Sequence, residues 1–219
     1  MKQVIFSASI LAAVTTYASA ALTIQSSNLI GFDATTSAIV DNTGRVLVSN
    51  TADATESNGS VFVGTFGSLA DSAIQSLGSG SDIAAVFTVA GSVDIGTTAP
   101  AGLFDATLNV PGDTSALAGQ AIFTVIGNEA TIEGSDQFLI YRHSEVNGTG
   151  TFVELPSLNG PAIVDASTLS NLVVGEHNNF TSDFGAGDVA AFNLVAIPEP
   201  SSTALLGLGG LALILRRRK

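Results

Sequence analysis

Short runs in which apolar residues alternate with polar or small ones dominate this chain between residues 21 and 197. Ser60–Phe66, with the sequence SVFVGTF, shows this period of two and is rich in β-branched and aromatic residues. Such a pattern suits a half-buried β-strand. Turn-forming residues such as Pro111–Asp113 separate the runs. The pattern predicts an all-β domain, a single β-sandwich or a jelly-roll-like fold. The predicted strands are Ala38–Asp41, Arg45–Ser49, Ser60–Phe66, Ile83–Val89, Leu103–Val110, Ala121–Ile126, Gln137–Arg142 and Val189–Val195.

The first two predicted strands form a candidate hairpin. Ala38–Asp41 and Arg45–Ser49 flank Asn42–Gly44, where glycine can supply a positive φ. The short connection predicts that the two strands pair with each other.

One segment, Ser68–Leu77, instead places its apolar residues on one face of a helix. Ser68 is a suitable N-cap with Asp71 three residues later, and Gly78 follows as a stop signal. The sequence therefore predicts one short helix, which we expect to lie over a sheet edge.

The part of the chain between residues 21 and 197 is strongly acidic. Of the 19 acidic residues in the chain only Glu199 lies beyond it, and it contains just two of the seven basic residues, Arg45 and Arg142, for a net charge of −16. Such a surface repels nucleic acid and anionic lipid. Cysteine is absent, which excludes disulfides, thiol catalysis and thiolate metal sites.

The last 23 residues, IPEPSSTALLGLGGLALILRRRK, combine three features in a fixed order. A proline-rich triplet at 198–200 favours extended backbone. The apolar run Thr203–Leu215 follows, and as a helix it would span roughly 20 Å, short of the bilayer core of about 30 Å. The basic end Arg216–Lys219 would stay cytoplasmic and leave the rest of the chain outside. These features fit either a weak single-span anchor or a segment held at the membrane for processing.

This tail resembles the PEP-CTERM sorting signal of bacterial surface proteins, which has the same three parts in the same order. The resemblance implies an exosortase, a membrane cysteine protease or transpeptidase, as the partner, and an exopolysaccharide matrix as the setting. The glycine-rich stretch Gly207–Gly210 also fits the family pattern. The residues that match the recognition triplet are Pro198, Glu199 and Pro200, and those that match the basic stop are Arg216, Arg217 and Arg218.

The N-terminus has the layout of a secretory signal peptide. Lys2 supplies the positive region, Val4–Val14 is apolar, and Ala18 and Ala20 form a small-residue cleavage site. We therefore expect the Sec translocon and signal peptidase as partners. The predicted organisation is a signal peptide at 1–20, a β-rich acidic ectodomain at 21–196 and the sorting signal at 197–219.

Few residues of the sequence are candidates for a catalytic or metal-binding site. His143 and His177 each stand alone in the sequence, which favours surface or strand-edge histidines over metal ligands. Glu129, Glu133 and Asp136 cluster, and a glycosidase needs two carboxylates, but solvated loop acids are the usual explanation. We therefore predict that the ectodomain is not an enzyme and has neither a catalytic nor a metal-binding residue.

Further patterns concern calcium binding, sugar recognition and glycosylation. Asp183, Gly185, Gly187 and Asp188 are a candidate calcium loop, although their spacing is not that of an EF-hand. Tyr141 is the only tyrosine after residue 20 and tryptophan is absent, which disfavours stacking recognition of sugars but leaves hydrogen-bond recognition open. The candidate glycosylation sites are Asn58 and Asn147, each with an acidic residue two positions earlier, and a third Asn-x-Ser/Thr pattern occurs at Asn179.

Taken together, these patterns predict an exported, acidic, all-β surface protein between a signal peptide and a C-terminal transmembrane sorting tail. The tail would hold it transiently in the cytoplasmic membrane before it reaches the cell surface or extracellular matrix. Its role would be structural or adhesive in an exopolysaccharide layer, and no cofactor is expected. The alternatives are a secreted polysaccharide hydrolase and a calcium-dependent binding module.

Overall fold

The computed structural model describes residues 22–28, 38–97, 99–110, 117–144, 150–152, 162–164, 166–181 and 188–197. The predicted signal peptide, with Ala18 and Ala20, lies outside these ranges, as do Asn147 and the tail from Pro198 onward.

Short strands are the main regular secondary structure of the described chain, and three short helical segments interrupt them. The helices are α1 (Asp71–Gln75) and α2 (Gly80–Val86), and a 3-10 helix spans Ala166–Asn171. The strands are β1 (Leu22–Ser27), β2 (Ala38–Val40), β3 (Leu47–Val48), β4 (Ser57–Asn58), β5 (Ser60–Thr65), β6 (Thr88–Val93), β7 (Asp105–Val110), β8 (Phe123–Gly127), β9 (Gln137–Arg142), β10 (Ala162–Ile163), β11 (Leu172–Val174), β12 (Glu176–Thr181), β13 (Asp188–Asn193) and β14 (Val195–Ala196).

The strands form four sheets. The largest has six strands in the order β11-β9-β8-β5-β6, and β14 also pairs with β9. Two three-stranded sheets have the orders β10-β1-β7 and β12-β13-β2, and β3 pairs with β4. The β-rich class predicted from the sequence is confirmed. The described residues show several sheets and a helical layer, a more divided arrangement than a two-sheet sandwich.

The six-stranded sheet is covered on both faces, as neighbouring residues of β9 show. Leu139 and Tyr141 belong to a core cluster shared with β2 and β13, whereas Phe138 and Ile140 belong to a second cluster shared with α1 and α2. Successive side chains of a strand point to opposite faces. The double coverage explains why all five residues of Phe123–Gly127 are buried. Burial of apolar surface stabilises by roughly 25 cal/mol per Å², and this sheet contributes to the core through both of its faces.

The prediction of one helix at Ser68–Leu77 is only partly right. α1 is shorter than predicted, and its N-cap is Ala70, which makes no side-chain capping bond, so Ser68 does not cap it. Ile74 is its buried contact with the sheet. Ser68 lies before the helix because the chain is still turning there from β5, with the Leu69 amide donating to the Phe66 carbonyl.

The prediction of a strand over Ile83–Val89 is wrong, because α2 occupies its first half and β6 begins only at Thr88. The Ser79 side chain caps the helix by accepting a hydrogen bond from the Asp82 amide at 3.1 Å. Ile83 and Phe87 are buried four residues apart, which is helical spacing.

The turn predicted at Asn42–Gly44 is present, but the extended hairpin is not. Gly44 has a φ of 87°, and its amide donates to the Asp41 carbonyl at 3.0 Å. The flanking strands meet only at the single bridge between Val40 and Val46. β2 pairs instead with β13, and β3 pairs with β4, both in parallel.

Candidate functional site

An open cleft of about 330 Å³ lies at the end of β9, where several separate parts of the chain meet. β9 and the residues after it contribute Arg142, His143 and Ser144, and α1 contributes its first residue, Asp71. The end of the 3-10 helix adds Ser170 and Asn171, and Thr151 comes from a separate segment. This volume is at the lower end of the range typical of small-ligand sites, roughly 300–1,000 Å³.

Arg142 is the cation of the cleft, and its ion pair is loose. Nη1 of Arg142 lies 3.4 Å from each carboxylate oxygen of Asp71, longer than the roughly 2.7–2.9 Å of strong charge-assisted bonds. The two side chains are 50% and 42% exposed, so solvent screens the pair and it adds little stability. The guanidinium carbon of Arg142 also lies 6.0 Å from the centre of the Phe123 ring, within cation–π range.

His143 forms a rigid part of the cleft beside Arg142. Its side chain is buried, and Nε2 lies 2.8 Å from Oγ1 of Thr124. Burial lowers the pKa of His143 from 6.5 to about 3, and a hydrogen bond to the Ile163 backbone opposes that shift only in part. The ring is therefore neutral at neutral pH, so it is a fixed polar group of the core. The prediction of a surface or strand-edge histidine is wrong here, because residues distant in sequence cover the ring.

A hydrogen bond connects two walls of the cleft. Nδ2 of Asn171 donates to Oγ of Ser144 at 2.9 Å, which links the 3-10 helix to the residue that follows His143. Because Asn171 orients the Ser144 hydroxyl as an acceptor, the proton of that hydroxyl is directed elsewhere.

The predicted acidic cluster lies in one exposed turn between β8 and β9. Glu129, Glu133 and Asp136 are all exposed. Asn128 closes the turn, because its Oδ1 accepts the Asp136 amide at 3.1 Å and its Nδ2 donates to a carboxylate oxygen of Asp136 at 2.8 Å. Glu129 reaches Nδ2 of Asn58 at 3.4 Å. Asp136 therefore helps to close a surface turn, and Glu129 links this turn to β4.

The remaining predicted ligand residues are scattered. His177 lies on β12, an edge strand as expected, with its ring 5.0 Å from that of Phe192. Within the described ranges, no group of three or more His, Cys, Asp or Glu residues could hold a metal ion. Asp188 begins β13, whereas Asp183, Gly185 and Gly187 lie outside the described residues.

The candidate glycosylation site at Asn58 is in a strand. Asn58 is half-buried in β4, and its Oδ1 accepts the Asn50 amide at 2.9 Å. The side chain of Asn58 therefore contributes to the local structure. The third Asn-x-Ser/Thr pattern begins at Asn179 in β12.

The described chain ends against the six-stranded sheet, next to the acidic turn. β14 pairs with Phe138 and Gln137 of β9, and the Ile197 amide donates to the Asp136 carbonyl at 3.0 Å. The Ile197 side chain packs partly buried against the cluster that α1 and α2 cover. Proline has no amide hydrogen, so Pro198 cannot donate a further bond of this kind. The triplet of the tail thus begins directly after a residue that is hydrogen-bonded to the domain.

At the other end, β1 begins at Leu22, two residues after Ala20 of the predicted cleavage site, and pairs with β7. None of the helices in the described part of the chain is long and apolar enough to cross a membrane. The predicted apolar helix Thr203–Leu215 lies outside that part.

The cleft was not predicted from the sequence. Asp71 and Arg142 are 71 residues apart, and only folding brings them together. The one available signal was the rarity of basic residues, since Arg142 and Arg45 are the only two between residues 21 and 197.

Residues 196–219 match the family model of the PEP-CTERM protein-sorting motif. The match covers the whole predicted tail and confirms the resemblance. No curated protein and no solved structure matches the chain significantly.

Proposed function

We propose that this chain, which carries a PEP-CTERM sorting motif, is an exported surface protein that acts structurally or adhesively in an extracellular polysaccharide layer. The single observation that carries the proposal is the motif at residues 196–219. The motif implies exosortase-dependent export and makes an exosortase the processing partner.

The order of events follows from the physical properties of the two ends. The Sec translocon would export the chain, and signal peptidase would cut after Ala20. The apolar run Thr203–Leu215 would then pause in the membrane, because it is long enough to enter the bilayer but too short to span it stably. Arg216–Lys219 would stay in the cytoplasm and hold the triplet 198–200 at the outer surface.

The junction between the domain and the tail supports processing next to a folded domain. The Ile197 amide is bonded to the Asp136 carbonyl, and Ile197 is itself the second residue of the matched motif, directly before Pro198. The prolines at 198 and 200 favour extended backbone, the form in which proteases bind their substrates. An exosortase would therefore meet an extended segment close to the surface of the domain.

The same proposal gives the domain no catalytic role and no cofactor. The exposure of Glu129 and Glu133 supports it, as does the use of Asp136 in closing a turn. The net charge of −16 between residues 21 and 197 supports a hydrated matrix as the setting and disfavours nucleic acid as a partner.

Mass spectrometry of the C-terminal peptide of protein extracted from the native cell surface tests the proposal. We expect a C-terminus near the triplet and no peptide that contains Arg218 and Lys219. Glu199→Ala should slow processing and lead to accumulation of a membrane-bound precursor, whereas Glu133→Ala, the same change on the exposed turn of the domain, should process normally. A surface-extracted protein that still ends in Lys219 would contradict the proposal.

A further inference from the structure

We propose that the cleft at the end of β9 binds an acidic monosaccharide unit, a hexuronate, with Arg142 as the partner of its carboxylate. This inference goes beyond the sorting function, because it depends only on the geometry of the cleft and not on what happens to the tail.

Charge is the first argument. Between residues 21 and 197 only Arg45 and Arg142 are basic. Arg45 is engaged by Asp41, with Nη2 and Oδ2 2.8 Å apart. Arg142 makes only the 3.4 Å contacts with Asp71 among the described polar groups. A guanidinium has five N–H donors in a planar fork that fits a carboxylate. Arg142 can therefore pair with the carboxylate of a ligand. The other arginine of the described chain, Arg45, is already engaged by Asp41.

The groups around Arg142 suit hydroxyls rather than a bare anion. Asp71 places acceptor oxygens beside the guanidinium, and an isolated anion would be repelled by them. Ser144, Ser170 and Asn171 add hydroxyl and amide groups to the lining. Each sugar hydroxyl donates one hydrogen bond and accepts others, so it can use both kinds of group. A ligand with one carboxylate and several hydroxyls matches this mixed set, whereas phosphate or acetate does not.

The cleft is also preorganised and of limited size. His143 is fixed by Thr124, and Asn171 is bonded to Ser144, so these side chains would lose little entropy on binding. A volume of about 330 Å³ suits one sugar unit better than a chain of several. Tyr141 and Phe123 are buried beneath the surface, so they offer no face for stacking. Recognition would therefore depend on hydrogen bonds and the ion pair, and we expect a dissociation constant in the millimolar range.

Saturation-transfer NMR on the full-length chain, in a detergent without a sugar head group, tests this inference. The probes are D-galacturonate, D-galactose and acetate, each titrated alone. We expect D-galacturonate to bind at least tenfold more tightly than either of the others. Equal binding of D-galactose would overturn carboxylate recognition, equal binding of acetate would reduce the cleft to an anion site, and no binding of D-galacturonate would overturn the inference altogether.

Variants locate the binding. Arg142→Gln should remove the preference for D-galacturonate over D-galactose, and Glu133→Gln, a change of charge outside the cleft, should leave it unaltered. If Arg142→Gln does not fold, Arg142→Lys replaces it, and we expect at least a threefold weakening because lysine lacks the planar fork. Unchanged binding in a folded Arg142 variant would overturn the inference. A negative result here with a processed tail in the native host would leave the proposed sorting function standing.

Discussion

The carboxylate of Asp41 holds the side chain of Arg45, with Oδ2 2.8 Å from Nη2 and 3.0 Å from Nε. Its other oxygen, Oδ1, accepts the backbone amides of Thr43 and Arg45 at 2.8 and 3.0 Å. The Asp41 side chain is fully buried, whereas that of Arg45 is 48% exposed. The buried carboxylate thus closes the turn after β2. It also forms an ion pair with Arg45, one of the two arginines between residues 21 and 197.

Replacing Asp41 with alanine should lower the free energy of unfolding by about 2 kcal/mol, since it removes a buried, charged acceptor from the amides of Thr43 and Arg45. Asp53→Ala is a matched control: Asp53 accepts the amide and the hydroxyl of Thr55, as Asp41 accepts those of Thr43, but at an exposed site without an arginine. We expect a clearly smaller loss there. Urea unfolding of the full-length chain measures the loss of stability in both variants. Equal losses would show that neither burial of the carboxylate nor its bond to Arg45 adds to stability.

His143 should make the protein less stable in acid. Its folded pKa is about 3 and its ordinary value is 6.5, so between these pH values the unfolded state binds a proton that the folded state does not. Stability should therefore fall by a few kcal/mol as the pH drops from 6.5 toward 3. His143→Gln should lose most of this slope in thermal unfolding followed against pH. If His143→Gln kept the same slope as the unaltered protein, titration of His143 would not be the cause of the acid sensitivity.

Asp41 acts in a lower pH window. Burial would raise the pKa of Asp41, but hydrogen bonds from Thr43 and Arg45 outweigh it and lower the pKa below 3.8. A lowered pKa gives stability that is present above 3.8 and is lost as the pH falls through the folded value. Asp41→Asn should therefore weaken the pH dependence below 3.8 and leave the His143 window intact. The same titration of thermal unfolding separates the two groups, and an altered slope near pH 6 in Asp41→Asn would contradict this assignment.

Gly80 should be essential for the packing of α2. A Cβ at Gly80 would lie 2.2 Å from the Ile132 carbonyl oxygen and 2.6 Å from that of Ser135, both backbone atoms that cannot rotate away. We expect Gly80→Ala to cost about 1–3 kcal/mol, the usual range for overpacking. At Gly134, in the same contact region, the nearest neighbour of an added Cβ would be the Thr131 hydroxyl at 3.2 Å, so Gly134→Ala should cost less. Thermal unfolding of the two variants compares them, and the reverse order would contradict this packing.

Deletion of Arg216–Lys219 should prevent the chain from stopping in the membrane during export. Without the basic end, the apolar run is too short to hold the chain in the bilayer, and it should pass through. Cell fractionation should then find unprocessed protein outside the membrane, in contrast to the membrane-bound precursor expected of Glu199→Ala. Membrane retention of the deleted form would show that the apolar run anchors the chain by itself.

Several elements were predictable because their signals are local. Gln137–Arg142 is a strand with the predicted bounds, since its aromatic and β-branched residues favour a strand over a helix. The segment Ile83–Val89 was misassigned, because a short apolar run fits a strand and a buried helix equally well. The Ser79 and Asp82 pair was the signal that could have identified α2, as it matches a helix N-terminus.

By itself, the sequence determined the β-rich class and the sorting tail, because periodicity and the order of triplet, apolar run and basic end are properties of neighbouring residues. Tertiary structure alone decided which strands pair, why β2 joins β13 rather than β3, and that His143 is buried. It alone also brought Asp71 to Arg142 across 71 residues. Such contacts depend on which surfaces, distant in sequence, pack against one another, and a local sequence pattern does not determine that.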